Sequence, residues 1–579
     1  MVKLRRVLLV QLPIPPAGLD PMPGNVPLAA AYLKLFARRK GLERHYQIDL
    51  FPVTLANTLG DQALVEAILA AEPNIVGFSC YLWNVERSLW IADQLKRRRP
   101  ELVILVGGPE VTPDNRLVLE NRAVDFAIAG EGETTFGQLL AAFAENVSTP
   151  RIAGLWHRGQ STAPGAPAPL GSLDQISSPY VDGILEIGDD RRMLLETARG
   201  CRFRCKYCYY PKEHAALEYL SDEQVLANLR YAVEHSADEV VLLDPTLNQR
   251  PDFAEFLQLL ARGNPDRRLS FSGELRAEGI DARLAKLLRE AGFHEVEIGL
   301  QSVNPEAWRR MRRPTNLAAF ERGVKMLLAE GIKVHTDLIV GLPGDTVDTV
   351  RRGIDYLLET RAYSTVQVFN LAILPGTDFR REAEQLGLRY QPWPPYYVLE
   401  TPTLNIGQMC ELIEEAQEAF GIEFDPLPPA DIEFLNDSQR SGSVCRIDLD
   451  ANRDDLLPAE LRPTLAFVLW LRSGDFHARR DRAAAIIRQI LDANPHTTLQ
   501  VVLEPSGDPR QLTVEALDVL LRTCYRSTTY LDRYYSLHPG RLLGAKRLFV
   551  LLPHGSEVKK LVDEDWLDAV GEYAAVVTG

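Results

Sequence analysis

Twice along its 579 residues, the chain alternates short apolar runs ending in turn residues with segments of helical spacing. Strands joined by crossover helices run parallel, so this alternation restricts the fold to doubly wound sheets or barrels. The first series is VLLVQLP (7–13), IVGFSC (75–80), LVILVGG (102–108) and DFAIAGEGE (125–133), with LAAAYLKLFARRK, QALVEAILAAE and ERSLWIADQLKRRR as helices between them. It predicts a Rossmann-like, doubly wound domain over 1–145. Residues 146–190, with the Pro/Gly/Ala-rich APGAPAPLG, read as a linker. The second series runs through MLLETARG (193–200), EVVLLD (239–244), LSFSGEL (269–275), EVEIGLQS (295–302), KVHTDLIVGLP (333–343) and TVQVFNLAILP (365–375). Six such units over 191–395 predict a partial (β/α)6 barrel, with its chemistry in the loops at the strands' C-terminal ends. Beyond WPPYY and PLPPAD, the strands TLAFVLWL, TLQVVLEP and RLFVLLP predict a small α/β domain over 396–579. The fold class is α/β throughout.

Composition excludes several alternatives. A formal net charge of -15 argues against a nucleic-acid partner. No run of about 18 uncharged apolar residues predicts a membrane span. MVKLRRVLLVQLPIPP reads as a first strand rather than a signal peptide. Seven cysteines in so long a chain do not make a disulfide framework. Three crowd between 201 and 208, whereas Cys80, Cys410, Cys445 and Cys524 are scattered, which fits a reducing cytoplasm and one metal site.

That crowded segment, ETARGCRFRCKYCYYP, sets Cys201, Cys205 and Cys208 at C-x3-C-x2-C spacing just after an apolar strand. Thiolates are soft donors suited to iron–sulfur clusters. Three of them on a four-iron, four-sulfur cluster leave one iron open to chelation by a small molecule's amine and carboxylate. An electron passed into a chelated sulfonium's C–S bond gives methionine and a primary alkyl radical, which takes hydrogen from unactivated carbon. Two blander readings stand beside this one. A structural zinc site would need a fourth ligand, for which His214 is nearest. An electron carrier would normally use four cysteines.

The spacing, with Tyr207 before the last cysteine, resembles the signature of the radical S-adenosylmethionine superfamily over roughly residues 190–395. The resemblance implies a 4Fe-4S cluster on the three cysteines and S-adenosylmethionine as cosubstrate. It implies that Glu274 and Arg276 bind the methionine moiety, and that Gln301 and Ser302 touch the ribose or methionine end. It also implies that Gly341, Pro343 and Gly344 lie near the adenine, covered by Leu374, Pro375 and Gly376. Without it, Glu274 and Arg276 would read as a solvated strand edge and LPG at 342–344 as a turn. The family's glycine–glycine–glutamate motif is replaced by LLDPTLNQR, where Asp244 is a possible substitute.

The N-terminal third resembles the cobalamin-binding domain that precedes the barrel in one subgroup. The shared features are Asn25, Pro27 and Leu28 at a helix start, then GFSCYLWN (77–84), VGGPEVT (106–112) and AGEGETTF (129–136). A flat corrin needs close backbone approach, which Gly107, Gly108, Gly130 and Gly132, with Glu131 between the last two, would permit. Ser79, Tyr81, Leu82 and Trp83 would form its lower face. No D-x-H-x-x-G segment offers a histidine ligand, so cobalamin's own base is expected to be displaced without one. The same glycine turns occur in any α/β sheet, which leaves a vestigial domain as the plain alternative.

The resemblance implies cobalamin-dependent methylation of an unactivated carbon in a small molecule, lipid or peptide, with electrons from an external flavodoxin- or ferredoxin-type donor. Radical rearrangement, cyclisation or adenosyl transfer is one rival, and a non-catalytic iron–sulfur scaffold another. Trp393 to Tyr397 read either as a substrate entrance or as a packed interdomain linker.

Overall fold

The computed structural model describes residues 4–160, 164–167, 169–176, 178–210, 217–428, 443–451, 463–537, 544–552 and 562–578. His214 and parts of APGAPAPLG and PLPPAD lie outside them.

The first sheet contains β1 (Arg5–Gln11), β2 (Tyr46–Leu50), β3 (Ile75–Ser79), β4 (Val103–Gly107), β5 (Phe126–Ile128) and β6 (Leu155–His157), in the order β2-β1-β3-β4-β5-β6. All neighbours are parallel except β5 and β6. The strand order turns back between β1 and β3, the place where open α/β sheets leave a crevice at the strands' C-terminal ends. Two strands escaped the sequence reading. YQIDL is short with only two fully buried positions, and LWH lies inside the expected linker. DFAIAGEGE is strand only at Phe126–Ile128, because GETTF opens the helix Gly132–Ala144, whose buried Phe136, Leu139, Leu140 and Phe143 recur at helical spacing.

The second α/β series gives β7 (Arg192–Leu195), β8 (Glu239–Leu242), β9 (Ser270–Gly273), β10 (Glu295–Gln301), β11 (Lys333–Val340) and β12 (Thr365–Asn370). They form two parallel three-stranded sheets, β9-β8-β7 and β10-β11-β12. Only the isolated bridges Phe271–Phe293 and Glu274–Glu297 join them across the β9/β10 seam. One apolar core, including Met193, Val240, Phe271, Ile298, Val334 and Val368, runs behind all six strands. Residues alternating with these face the lumen.

The C-terminal sheet is β13 (Val444–Asp448), β14 (Ala466–Ser473), β15 (Thr498–Pro505), β16 (Lys546–Leu552) and β17 (Ala575–Thr578), parallel and in sequential order. β13 and β17 were not anticipated. Helices cover one face, and the other packs Val468, Val502, Phe549 and Leu551 against Leu19 from the proline-rich loop after β1. The sheet is also tied to the first domain, because Leu465 N–H donates to Thr58 O at 2.9 Å. Buried Asp61 accepts from Arg87 at 2.7 Å and pairs with His496 at 3.2 Å. Those partners hold its carboxyl well below the usual range despite burial. No helix among the described residues is long and apolar enough to cross a membrane.

Candidate active site

The cysteine loop begins where β7 ends and is held from outside itself. Asp244, 1% exposed, accepts from Thr197 N–H at 2.7 Å, from Ala198 N–H at 2.9 Å and from the Thr197 hydroxyl. Burial raises its pKa, and those donors oppose the rise. Gln249 accepts from Arg202 N–H at 2.9 Å and donates to Gly200 O at 3.1 Å, clamping both sides of Cys201. The Thr246 hydroxyl lies against the Cys201 thiol. LLDPTLNQR therefore braces the cysteine loop. Asp244 is turned to that backbone, which corrects its reading as a substitute ligand for the cosubstrate. Sequence reasoning missed Thr246 and Gln249, for which the only available signal was a run of polar residues at a strand's C-terminal end.

Burial raises the Cys201 pKa and pushes that of Cys208 to about 12, with Cys205, Cys201 and Glu274 adding to the latter. Thiols so placed keep their protons until a metal displaces them. Arg313, buried beside Cys205 and Tyr207, supplies a compensating positive charge. Among the described residues the three sulfurs do not come within 4.8 Å of one another as a set. Zinc with bonds of about 2.3 Å holds its sulfurs roughly 3.8 Å apart, so the spread suits a larger cluster.

Glu274, just past β9, lies beside Glu297, its bridge partner across the β9/β10 seam, and near Asp337. Burial and then Glu297 push Glu274 to about 7, and the same two causes push Asp337 to about 8. Arg276 stacks on Phe203 of the cysteine loop at 4.5 Å and donates to Glu278 at 2.8 Å and to Pro314 O at 3.0 Å. Gln301 takes a left-handed φ of 69°, and its side-chain oxygen is buried without a partner, which leaves an acceptor for a ligand's donor. The Ser302 hydroxyl instead donates to Asp345 at 3.1 Å. Gly341 and buried Pro343 turn the chain after β11, and half-buried Leu374 opens the turn after β12.

At the C-terminal ends of β3, β4 and β5 lies a cavity of about 120 Å³, lined by Ser79, Tyr81, Gly107, Gly108, Gly130 and Gly132 with apolar strand residues. Gly108 has φ 104°, and a Cβ there would stand 2.7 Å from Cys80 O. No histidine lines the cavity among the described residues. Trp83 stacks on Tyr81 at 4.8 Å and Leu82 is half-buried beside them. Glu131 lies outside the cavity lining and pairs with Arg199 at 3.5 Å. A deep, mostly apolar slot with a backbone floor fits part of a cobalamin, and the lining offers no lower histidine.

The two sites face each other. Arg199, two residues before Cys201, pairs with Glu133 of the first domain at 2.9 Å. A Cβ on Gly376 would touch both Thr112 of the loop after β4 and Tyr209 beside Cys208, at 3.0 and 3.2 Å. Asp114 accepts from Gly376 N–H at 2.9 Å. Tyr396, 1% exposed, donates to Glu110 at 2.8 Å, so WPPYY is an interdomain seam at this residue, while Trp393 is exposed.

The family model of the radical SAM superfamily matches residues 195–357, and that of the B12 binding domain matches residues 25–140. The chain carries a radical SAM domain and a B12-binding domain. The protein is 27% identical over 408 residues to the cobalamin-dependent radical SAM methyltransferase TokK of Streptomyces tokunonensis, covering 65% of the chain and 57% of that relative. It is 26% identical over 415 residues to the 2-(S-pantetheinyl)-carbapenam-3-carboxylate methyltransferase of Streptantibioticus cattleyicolor, covering 66% and 59%. The chain thus spans less than two thirds of either relative. Among solved structures, the radical S-adenosylmethionine methyltransferase TsrM from Kitasatospora setae, with cobalamin and a 4Fe-4S cluster bound, superposes with a TM-score of 0.55 at 19% identity, covering 68% of this chain and 82% of that one. The cobalamin-dependent radical enzyme OxsB with aqua-cobalamin gives 0.53 at 18% identity, covering 72% and 66%. These two likenesses support the arrangement of the domains described above.

Proposed function

We propose that this protein cleaves S-adenosylmethionine reductively and transfers a methyl group, through cobalamin, to an unactivated carbon of a small molecule, lipid or peptide. The observation that carries the reading is the apposition of the two sites, where Arg199, two residues before Cys201, pairs with Glu133 of the cavity lining. When bound, the cluster supplies the electron that generates a 5′-deoxyadenosyl radical, and cobalamin supplies the methyl group.

The chain's own residues hold and orient. Cys201, Cys205 and Cys208 grip the cluster on a loop fixed by Asp244 and Gln249. Glu274, Arg276 beside the cysteine loop and the free oxygen of Gln301 would take the amino, carboxylate and hydroxyl groups of S-adenosylmethionine. Gly341, Pro343 and Leu374 would border its adenine. Tyr81, Leu82 and Trp83 with Gly107, Gly108, Gly130 and Gly132 would form the corrin's bed. The 396–579 region, whose sheet packs on Leu19 of the proline-rich loop, would bound the substrate. An external flavodoxin- or ferredoxin-type donor would supply the electron.

The test is anaerobic reconstitution with iron, sulfide and cobalamin, followed by S-adenosylmethionine and a reductant. Methylation predicts cobalamin-dependent S-adenosylhomocysteine and, with substrate, an equal amount of 5′-deoxyadenosine. S-adenosylhomocysteine formation indifferent to cobalamin would defeat the reading. The chain is also 27% identical over 350 residues to an anaerobic magnesium-protoporphyrin IX monomethyl ester cyclase of Rubrivivax gelatinosus. That relative favours a second, ring-forming reading, which 5′-deoxyadenosine without S-adenosylhomocysteine would select.

A further inference from the structure

The opposite end of the barrel carries a cluster that the chemistry at the cysteines does not use. Glu239 opens β8, His294 and Glu295 lead into β10, and His335 lies three residues into β11. The ligand atoms of Glu239, His294 and Glu295 all lie within 4.8 Å of one another. His294 Nε2 is 4.0 Å from a Glu239 oxygen and 3.7 Å from a Glu295 oxygen, and His335 Nε2 is 3.3 Å from that same Glu295 oxygen. We propose that Glu239, His294, Glu295 and His335 form a divalent transition-metal site that staples the two half-barrels together.

The orientation of His294 carries the argument. Its Nδ1 lies 3.0 Å from Phe271 O, a backbone acceptor that requires the ring proton on that nitrogen. Nε2 is thereby turned towards the carboxylates of Glu239 and Glu295, a set of donors that a bound cation would satisfy together. A backbone carbonyl fixing the second ring nitrogen is also how metal-bound histidines are usually oriented. Glu239 is fixed likewise, accepting from the Ser272 hydroxyl at 2.6 Å while Arg192 neutralises its other oxygen at 2.8 Å. Zinc bonds to nitrogen and oxygen of about 2.0–2.2 Å put tetrahedral ligands roughly 3.4 Å apart. The spacings of 3.7 and 3.3 Å to Glu295 are already near that value, whereas His335 stands outside the three ligands that share 4.8 Å and would have to swing in to complete the set. The imidazoles are 37% and 39% exposed, so an ion can enter from solvent. Imidazole with carboxylate suits zinc or ferrous iron, and no thiol belongs to the set.

Position gives the site its role. Glu239 belongs to the β7–β9 sheet and the other three to the β10–β12 sheet, which share a core but, among the described residues, pair as strands through two isolated bridges. A metal spanning that seam would lock it at the barrel's N-terminal face, where side chains serve stability and not chemistry.

The probe is zinc ion alone, added to the reconstituted full-length protein and followed by gel filtration. The proposal expects one tightly held zinc per chain, an X-ray absorption first shell of nitrogen and oxygen only, and an unfolding midpoint several degrees higher. The double variant His294→Gln with Glu295→Gln should lose both the zinc and the shift. A sulfur-containing shell would place the zinc on the cysteines and overturn the proposal. So would equal zinc in wild type and variant, or a wild type that keeps none and depends only on imidazole protonation. Should the variant fail to fold, the wild-type absorption spectrum decides alone.

Discussion

Side chains from a neighbouring strand end hold the cysteine loop, whereas the floor of the N-terminal cavity is shaped by the lack of side chains. Asp244 and Gln249 fix five hydrogen-bonding groups around Cys201. Across the interface, Gly107, Gly108, Gly130 and Gly132 let the backbone itself be the surface. The difference follows from what each must hold. A compact cluster bonded to three thiolates needs those sulfurs positioned, and a broad planar ring needs a surface without protrusions. The two halves should therefore fail independently.

The largest expected effect is at the cluster. Cys205→Ala should abolish both the iron–sulfur absorption and 5′-deoxyadenosine formation, while cobalamin retention after gel filtration stays unchanged. Loss of cobalamin in that variant would show that the sites are not separate. Next comes the floor. Gly108→Val forces a left-handed φ and a Cβ 2.7 Å from Cys80 O, strain on the order of 1–3 kcal/mol. Cobalamin affinity should fall about tenfold or more with iron content intact, and a variant that keeps cobalamin would refute the backbone-floor picture.

The same contrast explains what could be read from the chain. Cysteine spacing is local, so Cys201, Cys205 and Cys208 were legible without any fold. The six barrel strands were legible because each is an apolar run closed by turn residues. YQIDL and the C-terminal strands β13 and β17 were not, being short or weakly apolar. The bracing by Asp244 and Gln249 was hidden because it joins residues 46 to 49 positions apart, which the β7–β8 pairing brings together. Ser302, read as a cosubstrate contact, has its hydroxyl turned to Asp345, a partner 43 residues away.

A third prediction sharpens the bracing. Gln249→Ala leaves Arg202 N–H and Gly200 O without their partner, at about 1–3 kcal/mol for each group that stays buried. Iron occupancy after reconstitution should drop several-fold, and cobalamin retention should not move. Full iron occupancy in that variant would mean that the three thiols position themselves.

The last effect is at the seam between the halves, and pH reveals it. Glu110 is 2% exposed and accepts from Tyr396 and Asn115, yet burial outweighs those bonds and lifts its carboxyl to about 7. In the unfolded chain it would titrate near 4.3. Between those values the folded protein binds the extra proton, so its stability from this group is complete below about pH 4.3 and is lost as pH rises towards 7. The loss amounts to about 4 kcal/mol at most. Glu110→Gln keeps the shape and cannot titrate. Its urea unfolding midpoint should therefore gain on the wild type between pH 5 and pH 8, with every other titrating group common to both proteins. Midpoints that run parallel across that range would mean that solvent reaches Glu110, and that Tyr396 does not seal the two halves against water.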